Sequence, residues 1–201
     1  MPLVHSWPLL FKSFFYKIRS VLPIILEAEG CREGWVQAEA YKHFNNMLQY
    51  SFFVNRYKYI DVNGHFKGKA DFFCGEDRET ADMVAELKVL GDYFLPKNIN
   101  GYPSFKGIPL NDIRHAYKYN ICFNPNEGSL VKDYYRLNDF CNAKNKLLIL
   151  VMDKSITKDS DQNLREIMLN IAFSPSSKSC NYDSDRRSNR KGFIVRIWKI
   201  K

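Results

Sequence analysis

The sequence predicts an α/β fold, in which helices pack against a central β-sheet. Some segments carry apolar residues at helical spacing, and others alternate or form short continuous apolar runs, as strands do. With 201 residues, 45% hydrophobic and 26% charged, the chain is long enough to bury a core and too apolar to be disordered. We expect one domain over 1–201, made of an N-terminal helical extension (1–34), a core (35–153) and a C-terminal segment (154–201).

The first elements are predicted to be helical. Residues 9–29 read as one or two helices broken near Pro23, and the spacing of their phenylalanines predicts core packing. A further helix is expected over Trp35–Leu48. Glu39 borders the apolar stripe of this helix, and an inward carboxylate needs a partner. That partner is either His43, one turn later, or a metal site.

A β-hairpin is predicted next, because alternating aromatic and aliphatic residues flank an Asn-Gly pair. It consists of a strand over Phe52–Val62, a two-residue turn at Asn63–Gly64 and a returning strand over His65–Phe73. Counting outward from the turn places Asp61 opposite Phe66 and Arg56 opposite Asp71. Asp71 therefore lies at the far end of the hairpin, within reach of the next strand, whereas Asp61 stays beside the turn.

The strand over Val84–Leu90 carries the most informative charges. Side chains alternate between the faces of a strand, so Glu86 and Lys88 share one face and the apolar Ala85 and Leu87 lie on the other. Such a pair usually lies on a solvated sheet surface. Here Asp71 on a neighbouring strand supplies a second carboxylate, and this combination favours a metal site over a solvated surface.

The second half of the chain alternates between irregular and regular segments. We expect irregular structure over Gly91–Gly128 with a helix at Asn111–Tyr119, a helix from Leu130 to about Cys141, a buried strand over Lys146–Met152, a helix over Asp161–Phe173, a polar loop over Ser174–Lys191 and a strand over Phe193–Ile200. The Leu130 helix carries Lys132 and Arg136 on one face, which is either solvated or turned towards phosphate.

The composition restricts the class of partner and compartment. The formal net charge is +8, and residues 178–201 alone hold eight Lys or Arg against two Asp. Basic proteins bind phosphate in nucleic acid or at anionic membranes, although a charge run is often only a solvated tail. Five cysteines without CxxC spacing argue against zinc and against a disulfide framework. Without a signal peptide or a membrane span, we expect a soluble cytoplasmic protein without a membrane partner.

The order of these elements resembles the PD-(D/E)xK nuclease superfamily. The matching residues are Ala70-Asp71 and Glu86-Leu87-Lys88, with Glu39 at the place of an acid that some members carry on the first core helix. The likeness covers roughly residues 35–153. Ala70 stands where the family has proline, a departure that many members share. The resemblance implies a restriction-endonuclease-like fold, a three-layer core with a central mixed β-sheet flanked by helices.

The resemblance also implies a chemistry. Asp71, Glu86, Glu39 and the main-chain carbonyl of Leu87 would hold Mg²⁺ or Mn²⁺, since these cations prefer oxygen ligands. Lys88 would orient the attacking water and stabilise the transition state. The expected activity is hydrolysis of DNA phosphodiester bonds, as an endodeoxyribonuclease. Residues expected to contact nucleic-acid phosphates are Lys132, Arg136, Arg186, Arg187, Arg190 and Lys191.

Other functions fit the same residues. An RNA-directed nuclease would use the same site, and a catalytically inactive, nucleic-acid-binding subunit would keep the charges without turnover. A structural or partner-binding domain would carry the same acids as ordinary surface residues, pointing away from one another. Endonuclease and exonuclease activities both fit, as do restriction, mobile-element, repair and toxin settings. Cutting of both strands by a domain with one site would favour a homodimer.

Overall fold

The computed structural model describes residues 6–28, 31–47, 51–90, 130–153, 180–183 and 192–200. Its helices are α1 (Trp7–Lys17), α2 (Leu22–Glu27), α3 (Arg32–Met47) and α4 (Leu130–Phe140). Its strands are β1 (Phe52–Val54), β2 (Lys58–Ile60), β3 (Phe66–Lys69), β4 (Phe72–Cys74), β5 (Met83–Leu90), β6 (Asn145–Asp153), β7 (Cys180–Asp183) and β8 (Phe193–Ile200). The helices expected at Asn111–Tyr119 and Asp161–Phe173 lie outside the described residues. None of the described helices is both long and apolar enough to cross a bilayer.

Six strands of the described chain form one mixed sheet, in the order β1-β4-β5-β6-β8-β7. β5 and β6 run parallel, and the other neighbouring pairs are antiparallel. Parallel neighbours need a crossover connection, and α4 lies in the one between β5 and β6. The predicted α/β class with a mixed sheet is confirmed. The expected loop over Ser174–Lys191 is wrong in part, because β7 lies within it and pairs with the edge of β8.

Helices cover both faces of the sheet. On one face, Ala85 and Leu87 of β5 join a hydrophobic cluster with buried residues of α1, α2 and α3. On the other face, Lys88 contacts Asp133 of α4. Because both faces are covered, the apolar run of β6 from Leu147 to Val151 has no exposed surface.

The N-terminal helices are part of this core. Phe11 and Phe14 of α1 are fully buried, and the Phe11 ring lies 5.0 Å from Phe44 of α3, centroid to centroid. Phe44 in turn lies 4.7 Å from Phe52 of β1. The predicted core role of the phenylalanines is therefore confirmed, as is the break before Pro23, which lies in the first turn of α2.

The predicted hairpin is divided into two ladders. β1 pairs with β4 in the main sheet, whereas β2 and β3 form a separate two-stranded ribbon. Asn55 adopts a φ of +53°, which ends the extended conformation between β1 and β2. The turn is also longer than expected, because Gly64 donates to the Asp61 carbonyl and adopts φ of +80°. A bulge after Tyr59 then shifts the register by one residue at the tip, so Phe66 faces Ile60 instead of Asp61.

Candidate active site

The candidate site lies where two strands of the sheet separate. The antiparallel pairing of β4 and β5 ends with Phe72 opposite Ala85. Asp71 directly precedes β4, and Glu86 directly follows the last paired residue of β5. The fork therefore brings the two acids side by side, and no described strand pairs with the β4-facing edge of β5 beyond Ala85.

Two carboxylates occupy this open edge. Asp71 accepts a hydrogen bond from the Leu87 backbone N–H through Oδ2, at 2.6 Å, and one from the Gln37 side chain through Oδ1, at 2.8 Å. Two residues further along β5, the Val89 N–H donates a hydrogen bond to Glu33 Oε1 at 3.2 Å. Backbone N–H groups that would otherwise lack partners thus hold both acids in place.

Glu86 projects into the interior on the α4 side of the sheet. Its residue is 2% exposed, and Oε1 has no hydrogen-bond partner among the described residues. Burial raises the pKa of Glu86 well above its usual range, and the charges of Asp133 and Asp71 raise it further. Hydrogen bonding with the neighbouring Asp71 carboxyl group raises the pKa of Glu86 in the same direction. Burial raises the pKa of Tyr59 well above its usual range, and the charge of the neighbouring Glu86 raises it further.

Lys88 bridges the open edge and α4. Its Nζ lies 3.0 Å from Asp133 Oδ2 and 3.6 Å from Glu33 Oε1, and it donates to the Leu87 carbonyl at 3.1 Å. Burial alone would lower the pKa of Lys88, but the charges of Asp133, Glu33, Asp71 and Glu86 outweigh burial and raise it. The ammonium group is therefore charged and held between the carboxylates.

The site has more carboxyl groups than cations. Asp71, Glu86, Glu33 and Asp133 face two cations, Lys88 and Arg136. Burial, followed by neighbouring carboxylates, raises the pKa of Glu33 and Asp133 in spite of the opposing charge of Lys88. Crowded carboxylates with perturbed pKa values are typical of functional sites, because a stable fold gains nothing from their repulsion.

The structure does not bring Glu39 into this cluster. Gln37 and Glu33 lie one turn apart and face the site, whereas Glu39 lies about 200° around the helix from Gln37, at 100° per residue. Glu39 also makes no hydrogen bond or ion pair with His43, whose ring packs against Phe44. Neither partner expected for Glu39 is thus found in the described chain.

Two acids of the site were not expected from the sequence. Glu33 was missed because the helix was expected to begin at Trp35, whereas α3 begins at Arg32 and includes Glu33. Asp133 carried a signal that was available. It lies three residues after Leu130 and four before Leu137, so it borders the apolar stripe of α4 and needs a buried partner.

Of the six residues expected to bind phosphate, the structure describes the side chain of Arg136 alone. Arg136 turns its guanidinium inward, with Nη1 3.6 Å from Asp133 Oδ1, and packs against Gly68 of β3 so closely that a Cβ there would lie 2.8 Å from Nη2. Arg136 therefore links α4 to the ribbon instead of forming a solvated face. The backbone of Lys132 lies in α4, and its side chain is outside the described part. Arg186, Arg187, Arg190 and Lys191 also lie outside the described residues.

The donor set suits a hard divalent cation but is small. Within the described residues, no three His, Cys, Asp or Glu side chains are grouped to hold a metal ion. What the fork offers is two carboxylates, Asp71 and Glu86, and the Leu87 carbonyl on the same edge. A bound cation would give the partnerless Glu86 Oε1 a partner and would offset the repulsion between the neighbouring carboxylates, so these residues fit Mg²⁺ or Mn²⁺.

Comparison with known proteins gives no relative for this chain. No protein-family model, no curated protein and no solved structure matches it significantly. The geometry of the fork therefore carries the functional argument by itself.

Proposed function

We propose that the protein is a metal-dependent nuclease that hydrolyses DNA phosphodiester bonds, with a restriction-endonuclease-like fold of the PD-(D/E)xK type. One observation carries the proposal. The register places Asp71 and Glu86 side by side at the open edge of β5, where Asp71 accepts from the Leu87 N–H and the Lys88 ammonium donates to the Leu87 carbonyl. Such a group of hard oxygen ligands next to a fixed cation suits a substrate that is a phosphodiester.

Asp71, Glu86 and the Leu87 carbonyl would hold Mg²⁺ or Mn²⁺. When bound, the cation lowers the pKa of a ligated water and neutralises charge on the phosphate. Gln37 and the Leu87 N–H orient the Asp71 carboxylate, so its position is fixed before any substrate arrives. Glu33, at the same edge, replaces Glu39 as the acid that the first core helix contributes.

Lys88 is proposed to contact the phosphate. Its ammonium group is charged and already lies next to the Leu87 carbonyl. Use of that carbonyl as a ligand therefore requires Lys88 to turn from Leu87 towards the scissile phosphate, where it would stabilise developing negative charge. The ion pair with Asp133 holds the Lys88 ammonium group on the α4 side.

A second function is favoured by the burial of the cluster. Glu86 and Asp133 are 2% and 1% exposed, and Lys88 is satisfied by groups of its own chain. In a catalytically inactive, nucleic-acid-binding subunit these residues would form a structural network with no role in turnover. The two functions differ in one respect that is easily measured, which is cleavage that depends on a divalent cation.

The test is cleavage by purified protein with Mg²⁺ or Mn²⁺, on linear, circular, single-stranded and branched DNA and on RNA. Asp71→Asn removes a proposed ligand, and Asp61→Asn is its matched control on the same hairpin outside the cluster. We expect wild type and Asp61→Asn to cleave DNA and Asp71→Asn to be inactive. Lys88→Gln should lower turnover on the order of a hundredfold, with little loss of cation affinity.

Each outcome of this assay is decisive. Equal cleavage by wild type, Asp71→Asn and Lys88→Gln would show a contaminating nuclease and remove the proposal. Absence of cleavage in a preparation that still binds DNA would favour the inactive subunit. Cleavage confined to RNA would assign the site to an RNA-directed nuclease. Cutting of both strands would call for a measurement of oligomeric state, because one site per chain then favours a homodimer.

A further inference from the structure

The ribbon formed by β2 and β3 has two different faces. The inner face carries the fully buried Tyr59 and also Gly68, which lies against Arg136 of α4. Side chains alternate along a strand, so the neighbours of these residues point outward. The outer face therefore displays Lys58 and Lys69, and both side chains are exposed.

These two lysines are a directly opposed pair. Lys58 faces Lys69 across the ribbon in the observed register. Neither lysine makes an ion pair within the described residues, whereas the neighbouring Lys67 pairs with Asp61 at 3.2 Å. Like charges directly opposite one another destabilise a two-stranded sheet. The pair therefore contributes nothing to the stability of the ribbon and is suited to an external anion.

The basic face runs directly into the candidate site. Lys69 lies two residues before Asp71, so their Cα atoms are at most about 7 Å apart. On the opposing segment, Arg56 is exposed and stacks its guanidinium on the Phe53 ring at 4.0 Å, which holds this charge in a fixed position. Positive charge therefore borders the acids of the fork.

We propose that Lys58, Lys69 and Arg56 bind the sugar–phosphate backbone of a DNA duplex and lead it to the fork at Asp71. The inference rests on the nuclease proposed for that site and adds where its substrate lies. A duplex strand carries one charge per roughly 3.4 Å of helix axis, so lysines on adjacent strands meet the same or neighbouring phosphates. The interaction is independent of sequence, because phosphates carry no base information.

The experiment measures binding instead of cleavage. A labelled DNA duplex is titrated with the full chain in EDTA at several salt concentrations, and affinity is read from fluorescence anisotropy. The test variant is Lys58→Gln/Lys69→Gln. The matched control is Lys12→Gln/Lys42→Gln, which removes the same charge from exposed positions on α1 and α3. These helices cover the face of the sheet opposite to α4. Circular dichroism checks that both variants are folded.

We expect the ribbon variant to bind DNA more weakly and with a smaller dependence on salt. The slope of log K against log salt should fall by about 0.9 for each phosphate that the variant no longer neutralises. For two phosphates, affinity at low salt should fall on the order of tenfold more than in the control variant.

Three results would overturn the proposal: no DNA binding by wild type, an equal decrease in affinity in the ribbon and control variants, or a decrease seen only with an RNA duplex or with anionic lipid vesicles. The nuclease proposal can fail separately. Binding through the ribbon without cation-dependent cleavage would keep the docking surface and remove the nuclease. Cleavage with unchanged binding in the ribbon variant would do the reverse.

Discussion

Two clusters of acidic and basic residues lie at opposite ends of the ribbon, one around Asp61 at the turn and one around Asp71 and Glu86 at the fork. The pKa of Asp61 is lowered, whereas the pKa of Glu86 is raised. At the turn, Asp61 accepts hydrogen bonds from the backbone N–H groups of Asn63 and His65, each at 2.9 Å, and these donors with Lys67 lower its pKa to about 2. At the fork, burial and neighbouring acids raise the pKa of Glu86. The first acid stabilises the turn that it belongs to. Glu86 is crowded by other acids, and its Oε1 has no hydrogen-bond partner among the described residues. An arrangement that is unfavourable for the charges it contains is typical of a functional site.

The largest effect on stability is expected at Asp133, because this buried acid partners both cations of the fork. Asp133→Ala should lower the free energy of unfolding by about 3 kcal/mol, the usual cost of leaving a buried charge without its partner. Urea denaturation measures the decrease, and Asp139→Ala, at an exposed acid of the same helix, provides the control. Equal stability of the two variants would mean that the Lys88–Asp133 contact contributes nothing.

The opposite sign is expected at Glu86. Because folding raises its pKa above the ordinary value of 4.5, the folded protein binds this proton more tightly, and the carboxyl group lowers stability progressively as pH rises above about 4.5. Glu86→Gln should therefore raise the free energy of unfolding at neutral pH by about 1 kcal/mol in EDTA. It should also flatten the pH profile. A less stable variant would contradict the crowding of the fork.

The smallest effect is expected at the turn. The folded pKa of Asp61 lies below its unfolded value near 3.8, so its stabilising contribution is complete above about pH 4 and is lost as pH falls towards 2. Asp61→Asn should therefore lower stability slightly at neutral pH, and its difference from wild type should disappear as pH falls towards 2. Thermal unfolding at several pH values measures this. A difference of the same size at pH 2 and at neutral pH would contradict the role assigned to Asp61.

Long, strongly patterned elements could be predicted closely. β8 was expected with its observed bounds, and β5, β6 and α4 within one or two residues, because burial on both faces leaves a continuous apolar run and burial of one helical stripe leaves a clear period. The division of the predicted hairpin into the β1–β4 pair and the β2–β3 ribbon was not predicted. Their division depends on the positive φ of Asn55 and on a bulge, neither of which alternation reveals.

The site was predictable only where strand order determines it. Asp71, Glu86 and Lys88 lie together because hairpin register and strand alternation place them on one edge. The helical contributions were not predictable in the same way. Glu39 was chosen in place of Glu33 because the start of α3 was expected three residues too late, at Trp35 instead of Arg32. The orientation of Arg136 depends on Asp133 and Gly68, a contact between distant segments that no local pattern encodes.

The most direct test of the account is calorimetric titration of Mn²⁺ and Mg²⁺ into the protein, since the account holds that Asp71 and Glu86 share one cation. Wild type and Asp61→Asn should show saturable binding of equal affinity, and Asp71→Asn should show none. Absence of saturable binding in wild type, or unchanged affinity in Asp71→Asn, would contradict the claim that the fork is a metal site.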